Sequence, residues 1–334
     1  MGGNGLLFER LPRLPDSKLH PLFLQVRDSR GHIAARGLMD RVFSEYVDKD
    51  GNFVRDFQTQ GFSARVWELS LFAYLFEEGY TLDSEHAMPD FVIADGCAIE
   101  AVTNQPRNPM SAPESDLQTE EGLRLHFTIN SSARISEFQN QLRKAITSKM
   151  RKRFSDGRAY WELPHVRDLP FVVAIQSFYA ETSTAFADAV AAAYLLGEQT
   201  GSGGLFDDPE LTPLSAVLFS NSGTVGQFNR IGKQFGYGVE DVMILRYGVC
   251  YDPTPGAVAA RQFGYDVGTP GSPREDFAQS LHVIHNPNAD RPLPQATLIG
   301  VRQTGRIQGR SESVVPGLDT FLPFASKTLV MEAI

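Results

Sequence analysis

The sequence predicts an α/β fold, with a mixed central sheet flanked by helices. Three stretches of the chain support this prediction. Residues 63–76 are apolar nearly all the way round a helix, which is typical of a buried helix. Residues 135–154 carry an apolar stripe at helical spacing beside many basic side chains. Residues 170–178 form a short apolar run that indicates a central strand. Helices and strands therefore share one core.

The chain of 334 residues is expected to contain three parts. These are an N-terminal arm and helix (1–61), a core (62–200), and a large C-terminal extension or second subdomain (201–334). A hydrophobic content of 42% is enough for a sizeable core. No run of 18 apolar residues occurs, so we expect no membrane span. Two cysteines, Cys97 and Cys250, argue against a disulfide framework and favour the cytoplasm.

Shorter patterns predict the remaining elements. Ser63 is the expected N-cap of the buried helix, and Gly79 is its C′ residue. The expected additional helices are 33–46 and 183–196. The expected additional strands are 22–26, 123–129, 214–219, 241–247 and 298–301. The expected long loops are 105–121, which could cover a site, and 252–273.

A predicted hairpin brings two carboxylates together. Asp95-Gly96 is a strong signal for a two-residue hairpin turn. Asp90 and Glu100 each lie five positions from Asp95, so antiparallel pairing would place them near one another on adjacent strands. Two carboxylates at such a distance repel each other unless a divalent cation lies between them. The hairpin therefore predicts a metal site.

A third carboxylate, Glu68, lies on the apolar helix between the projections of Phe72 and Leu75. A charge in such surroundings needs a partner or a metal ion. Arg65 lies one turn earlier, so one interpretation is a structural Arg65–Glu68 ion pair. The other interpretation is that Glu68 reaches the same cation as the hairpin carboxylates.

The order of these features resembles the PD-(D/E)xK nuclease superfamily, whose fold is the restriction-endonuclease-like core. Pro89-Asp90 matches its Pro-Asp, and Glu100 matches its acidic residue, with nine residues between them. Glu68 lies where many members carry a further carboxylate on a helix. The resemblance covers residues 62–178 and implies metal-dependent hydrolysis of phosphodiester bonds.

One position departs from this motif. The family expects lysine two residues after the acid, and Val102 stands there. Some members supply the lysine from the following helix, and Lys149 projects into the apolar stripe of residues 135–154. Lys149 could stabilise the charge that develops during hydrolysis. The alternative is a lysine that extends past the sheet edge to solvent.

The charge of the chain does not favour general binding to nucleic acid, because it sums to −9. A local exception lies on the basic helix and just after it, where seven basic residues accompany one acid between Arg143 and Arg158. This patch could face phosphates, or it could be a solvated helix face. The residues expected to contact backbone phosphates are Arg65, Lys144, Arg151 and Lys152.

These observations together predict a Mg²⁺-dependent (or Mn²⁺-dependent) endonuclease that acts on DNA rather than RNA. Asp90, Glu100 and Glu68 would hold the ion, with Glu68 binding directly or through water, and Lys149 would stabilise the developing charge. Substrate choice would come from the region after residue 200, from a protein partner or from a homo-oligomer. Because of Val102, the second hypothesis is a catalytically inactive scaffold that binds nucleic acid or protein. A third is a small-molecule hydrolase that uses the same carboxylates.

Overall fold

The fold is α/β, as predicted, and contains two sheets. The computed structural model describes residues 6–104, 132–178, 188–197, 203–252, 254, 259–307, 310–314 and 321–332. Within them, a mixed seven-stranded sheet has helices on both faces, and a separate three-stranded antiparallel sheet packs beside it.

The described helices are α1 (Pro21–Asp28), α2 (Ile33–Phe43), α3 (Phe53–Gln58), α4 (Phe62–Glu77), α5 (Ser132–Arg151), α6 (Asp188–Leu196) and α7 (Val225–Gln234). The described strands are β1 (Phe91–Val92), β2 (Ala98–Asn104), β3 (Phe171–Ser177), β4 (Leu214–Ser220), β5 (Val242–Cys250), β6 (Arg261–Asp266), β7 (Leu281–His285), β8 (Arg302–Ile307), β9 (Arg310–Val314) and β10 (Pro323–Glu332). Short 3₁₀ helices include Tyr160–Glu162 and Pro209–Leu211.

The large sheet has the strand order β1-β2-β3-β4-β7-β8-β9. Its middle, β2-β3-β4, is parallel, and β1 and β7 pair antiparallel with β2 and β4. The predicted apolar strand is β3, which is buried along its whole length between β2 and β4. A strand in that place is covered on both faces, which explains its uninterrupted apolar sequence.

Alternate residues of β3 belong to two separate hydrophobic cores. Val172 and Ala174 face the core built with α4 and the N-terminal helices. Phe171, Val173 and Ile175 face the core built with α5 and α6. The sheet is therefore the middle layer of three, and a site at its edge can receive side chains from both helical layers.

Helix α4 confirms the predicted buried helix, although its start differs from the prediction. The N-cap is Gly61, and Ser63 is already a buried residue of the first turn. The predicted end is confirmed, because Gly79 has a positive φ of 74° and Tyr80 N donates a hydrogen bond to Leu75 O. This is the glycine-terminated helix end that a left-handed residue allows.

The hairpin between β1 and β2 places Asp90 opposite Glu100, as predicted, but its turn is longer than predicted. Ile93 N donates to Cys97 O, so three residues (94–96) form the loop instead of two. Asp95 takes the left-handed conformation, with a φ of 54°. The pairing of Phe91 with Ile99 fixes the register of the two strands.

Three segments differ from the predictions. Residues 22–26 form part of helix α1 instead of a strand, because Pro21 begins the helix and His20 Nδ1 accepts a hydrogen bond from Leu22 N. The predicted loop 252–273 contains strand β6, which pairs with β5. The predicted strand 298–301 is irregular, with Gly300 at a φ of 73°, and the strand begins at Arg302.

The remaining predicted elements have mixed outcomes. Helix α2 confirms the helix expected in 33–46, and strands β4 and β5 confirm those expected in 214–219 and 241–247. The predicted strand 123–129 and the predicted loop 105–121 lie outside the described residues, as do residues 183–187 of the predicted helix 183–196. The described part of that helix is confirmed as α6. In the part of the chain that is described, no helix is both long and apolar enough to cross a membrane. Cys97 and Cys250 are buried and unpaired.

The smaller sheet, β10-β5-β6, encloses an "arginine cluster" with α7, formed by Arg230, Arg246 and Glu275. Arg230 Nε and Arg246 Nη1 lie 2.7 and 2.8 Å from the same oxygen, Glu275 Oε2. Tyr265 donates to the other oxygen of Glu275 at 2.7 Å. Every side chain of this cluster is buried, so its charges stabilise one another inside the fold.

Candidate functional site

The hairpin brings Asp90 and Glu100 together. Phe91 pairs with Ile99, so one residue further along the same register Asp90 lies opposite Glu100. Strand β1 begins after Asp90. The side chain of Asp90 continues the contact with β2, because its Oδ2 accepts a hydrogen bond from the backbone N of Ala101 at 2.7 Å. The predicted meeting of the two carboxylates at this strand end is therefore present.

Lys149 reaches the same place from helix α5. Its Nζ lies 2.6 Å from Glu100 Oε1. The helix is fixed by its buried stripe, which includes Phe138, Leu142 and Ile146, and Lys149 lies near its last turn. The structure thus provides a lysine beside Glu100 although Val102 occupies the motif position.

Glu68 lies on helix α4, at 7% exposure, and both of its oxygens have partners. Arg65 Nη1 donates to Oε2 at 2.7 Å, and Tyr46 donates to Oε1. Burial raises the pKa of Glu68, and Arg65 and Tyr46 oppose that rise. The Arg65–Glu68 ion pair, one of the two interpretations of the sequence, is thus present, which leaves Glu68 little freedom to bind an ion directly.

A cavity of about 230 Å³ joins these residues. Glu68, Asp90, Glu100 and Lys149 all line it, as do the side chains around them: Asp56, Arg65, Trp67, Val102 and Thr103. We call this cavity, together with Glu68, Asp90, Glu100 and Lys149, the carboxylate site. It collects side chains from α4, from the hairpin and from α5, so three elements that are distant in sequence converge there.

Asp90 has the most unusual electrostatic environment in this site. The residue is half-buried and lines the cavity beside Glu68 and Glu100. This burial, together with the negative charges of Glu100 and Glu68, raises the pKa of Asp90 well above its usual range, against the opposing effect of Lys149. The surroundings therefore disfavour the charged carboxylate unless a cation or a proton compensates it.

The donor set fits a hard divalent cation that binds few protein ligands. Within the described residues, no group of three or more His, Cys, Asp or Glu side chains is arranged to hold a metal ion as it stands. Asp90 Oδ1 and Glu100 Oε2 have no hydrogen-bond donor among those residues. Mg²⁺ commonly uses one or two carboxylates and completes its octahedron with water and substrate phosphate. Asp90 and Glu100 can supply that pair.

The four predicted phosphate contacts differ in their availability. Arg65 is engaged with Glu68 and Asp56, each at 2.7 Å, and these charges raise its pKa although burial opposes the rise. Lys144 is exposed. Arg151 is exposed and pairs with Glu210 at 3.0 Å. Lys152 donates instead to the hydroxyl of Tyr160. Lys144 is therefore the most accessible of the four.

Three residues of the site were not predicted. Tyr160 donates to Glu100 Oε1 at 2.6 Å, and Tyr46 donates to Glu68. Burial lowers the pKa of Lys49, and the nearby negative charges of Asp90 and Glu68 oppose this by raising it. Each comes from a segment far from its partner in sequence, so no local spacing could have identified it.

No family model, no curated protein and no solved structure matches this chain. The carboxylate site is therefore the feature of this protein from which a function is inferred.

Proposed function

We propose that this protein is a Mg²⁺-dependent endonuclease of the PD-(D/E)xK type that hydrolyses phosphodiester bonds in nucleic acid, in DNA rather than RNA. The observation that carries the proposal is the convergence of Asp90, Glu100 and Lys149 on one cavity. An acidic pair on adjacent strands can hold a metal ion, and a lysine beside it can stabilise the charge that develops during phosphodiester hydrolysis. The resemblance of the Pro-Asp motif supports the choice of DNA.

The chain's own residues have separate roles in this proposal. Asp90 and Glu100 would hold the ion, which would supply Lewis-acid activation of water and of the phosphoryl oxygen. Lys149 stabilises the negative charge that develops on the reacting oxygens, because its ammonium group is fixed beside Glu100. Glu68 contributes through water, since Arg65 and Tyr46 occupy its two oxygens.

Substrate contact is assigned mainly to the exposed side of α5. Lys144 and Arg151 lie on the exposed face of this helix, away from Lys149 and the cavity, so they would contact phosphates of the nucleic acid at a distance from the scissile bond. Arg151 must exchange Glu210 for a phosphate, an exchange between exposed groups that costs little. Arg65 orients Glu68 and is a less available phosphate ligand.

The test is cleavage of supercoiled plasmid, single-stranded DNA and single-stranded RNA with Mg²⁺ or Mn²⁺. The variants are Asp90→Asn and Lys149→Met, with Asp241→Asn and Lys18→Met as matched controls at exposed positions. We expect cleavage of DNA by the wild type and by both controls, and its loss in Asp90→Asn and Lys149→Met. Undiminished cleavage by Asp90→Asn would contradict the proposal.

The second candidate function is a catalytically inactive scaffold of the same fold that binds nucleic acid or protein. One observation favours it: Glu68 and Glu100 already have cationic partners, Arg65 and Lys149. In that case Asp90 would be neutralised by a proton, and the site would need no metal ion. Binding of duplex DNA without measurable Mn²⁺ binding or cleavage would favour the scaffold over the enzyme.

A further inference from the structure

Behind Glu100 lies a chain of two hydrogen bonds that leads away from the cavity. Lys152 Nζ donates to the hydroxyl oxygen of Tyr160 at 2.6 Å, and this hydroxyl lies 2.6 Å from Glu100 Oε1. An ammonium group can only donate, so Tyr160 accepts from Lys152 and gives its single proton to Glu100. The direction of the chain is thus fixed by chemistry.

Tyr160 is held rigidly. It is fully buried, and its ring stacks on Phe171 with the centroids 5.7 Å apart. Phe154 meets its edge at 5.2 Å. The short helix that carries Tyr160 is closed by a hydrogen bond from Ala159 N to Glu162 Oε2. A side chain packed in this way cannot turn its hydroxyl away from Glu100 without displacing the core.

Lys152 is tied to the same structure. Its ammonium nitrogen lies 4.9 Å from the centroid of the Tyr160 ring and 5.5 Å from that of Phe154. Both distances are within the range of a cation–π contact. Lys152 is therefore directed at Tyr160, whereas a residue that binds phosphate would direct its ammonium group to solvent.

These contacts determine which oxygen of Glu100 remains available. Oε1 accepts from both Lys149 and Tyr160 at 2.6 Å. Among the described residues, Oε2 has no donor. A carboxylate whose one oxygen is fixed by two donors has a fixed orientation, and it presents the other oxygen to a ligand.

We propose that Tyr160 and Lys152 are positioning residues that hold Glu100 so that Oε2 receives a divalent cation. This inference rests on the proposed function, and it assigns Lys152 to the support of the cation site and not to substrate phosphate. Lys152 and Lys144 lie only eight residues apart in the sequence, yet they are given different roles in this proposal. Lys144 contacts the nucleic acid, and Lys152 supports the cation site through Tyr160 and Glu100.

Two affinities separate these roles. The first is the affinity for Mn²⁺ alone, measured by electron paramagnetic resonance without nucleic acid. The second is the affinity for a fluorescent DNA duplex, measured without divalent ions. The variants are Tyr160→Phe and Lys152→Met, and the matched controls are Tyr74→Phe, a buried tyrosine that donates to Ile299 O elsewhere, and Lys144→Met.

We expect Tyr160→Phe and Lys152→Met to weaken Mn²⁺ binding by about 10-fold or more, the usual effect of losing a residue that orients a metal ligand. Their affinity for the duplex should stay unchanged. Lys144→Met should show the opposite pattern, and Tyr74→Phe should change neither affinity. Lys152→Arg should restore Mn²⁺ binding, because arginine can also donate to the Tyr160 hydroxyl.

Three results would overturn the inference. Unchanged Mn²⁺ affinity in Tyr160→Phe would show that the hydroxyl does not position Glu100. Loss of duplex affinity in Lys152→Met with unchanged Mn²⁺ affinity would make Lys152 a phosphate contact. Absence of Mn²⁺ binding by the wild type would overturn the proposed function itself, and this failure appears before any variant is measured. If Tyr160→Phe does not fold, Lys152→Met decides the question alone.

Discussion

The carboxylate site and the arginine cluster are two buried groups of charges with opposite balance. In the arginine cluster, two guanidinium groups and a tyrosine surround one carboxylate, Glu275. Burial alone would raise the pKa of Glu275, but Arg230 and Arg246 lower it below its usual range. In the carboxylate site, burial and two neighbouring carboxylates raise the pKa of Asp90. The arginine cluster therefore compensates the negative charge of Glu275, whereas the carboxylate site leaves the negative charge of Asp90 uncompensated.

This difference separates a structural charge cluster from a candidate site. The arginine cluster is closed, because Arg230, Arg246 and Glu275 are all buried and Arg246 also packs against the rings of Phe263 and Phe321. The carboxylate site opens into a cavity. Uncompensated negative charge beside a cavity is unfavourable for folding alone, so a proton or a positively charged ligand must compensate it. The proposed function assigns this role to a divalent cation.

The largest expected effect concerns the arginine cluster. Glu275→Ala leaves two buried guanidinium groups without their carboxylate, and we expect it to lower the free energy of unfolding by about 3–5 kcal/mol. Urea denaturation followed by circular dichroism measures this loss. Mn²⁺ affinity of the folded variant should equal that of the wild type. A change of less than about 1 kcal/mol would show that the cluster does not stabilise the fold.

Asp90→Asn should have the reverse effect of Glu275→Ala: stability is kept and activity is lost. It removes a charge that its surroundings disfavour, so the metal-free protein should unfold at the same temperature as the wild type or a higher one. Cleavage should fall by at least about 100-fold, since residues that merely orient a metal ligand are already worth 10- to 100-fold. Thermal unfolding and initial cleavage rates measure the two effects. A marked fall in melting temperature would make Asp90 a structural residue.

His32 provides a third case, in which burial disfavours a positive charge. It lies at the start of α2, its Nδ1 has no hydrogen-bond partner among the described residues, and burial lowers its pKa to about 4. Between pH 6.5 and 4 the unfolded chain binds more protons than the folded chain, so stability falls as the pH falls. We expect the wild type to lose about 2–3 kcal/mol across this window relative to His32→Gln. Equal pH dependence of the two proteins in urea would contradict this assignment.

The smallest effect is expected on the exposed side of α5. Lys144→Met should weaken binding of a DNA duplex only a few-fold and reduce the slope of log affinity against log salt concentration by about 1, as expected for one lost phosphate contact. Fluorescence anisotropy at several salt concentrations measures both quantities. An unchanged salt slope would show that Lys144 does not contact phosphate.

The sequence predicted those parts of the site that depend on local pattern. The symmetric positions of Asp90 and Glu100 about Asp95 correctly predicted that the two residues lie opposite each other, although a strict two-residue turn would pair Asp90 with Ala101. Lys149 was found from its place in the apolar stripe of α5, which fixes the face that a helix turns to the sheet.

Contacts between distant segments could not be predicted in the same way. The hydroxyl of Tyr160 reaches Glu100 across 60 residues of chain, and Asp56 reaches Arg65 because α3 packs beside α4. Strand 22–26 was predicted from its apolar residues, but the same residues lie on one side of helix α1, where Leu22, Phe23 and Val26 are buried. A short apolar run fits both the helical and the strand periodicity, and Pro21 at the start of this segment favours the helix.

The most direct test of the central claim is a calorimetric titration of the protein with Mn²⁺ in the absence of nucleic acid. The wild type and the Asp241→Asn control should bind the ion, and Asp90→Asn should not, because the uncompensated charge of Asp90 is what the ion neutralises. Binding should also persist in Glu275→Gln, whose cluster holds no excess negative charge. Failure of the wild type to bind Mn²⁺, or equal binding by Asp90→Asn, would contradict the account of the carboxylate site as a cation site.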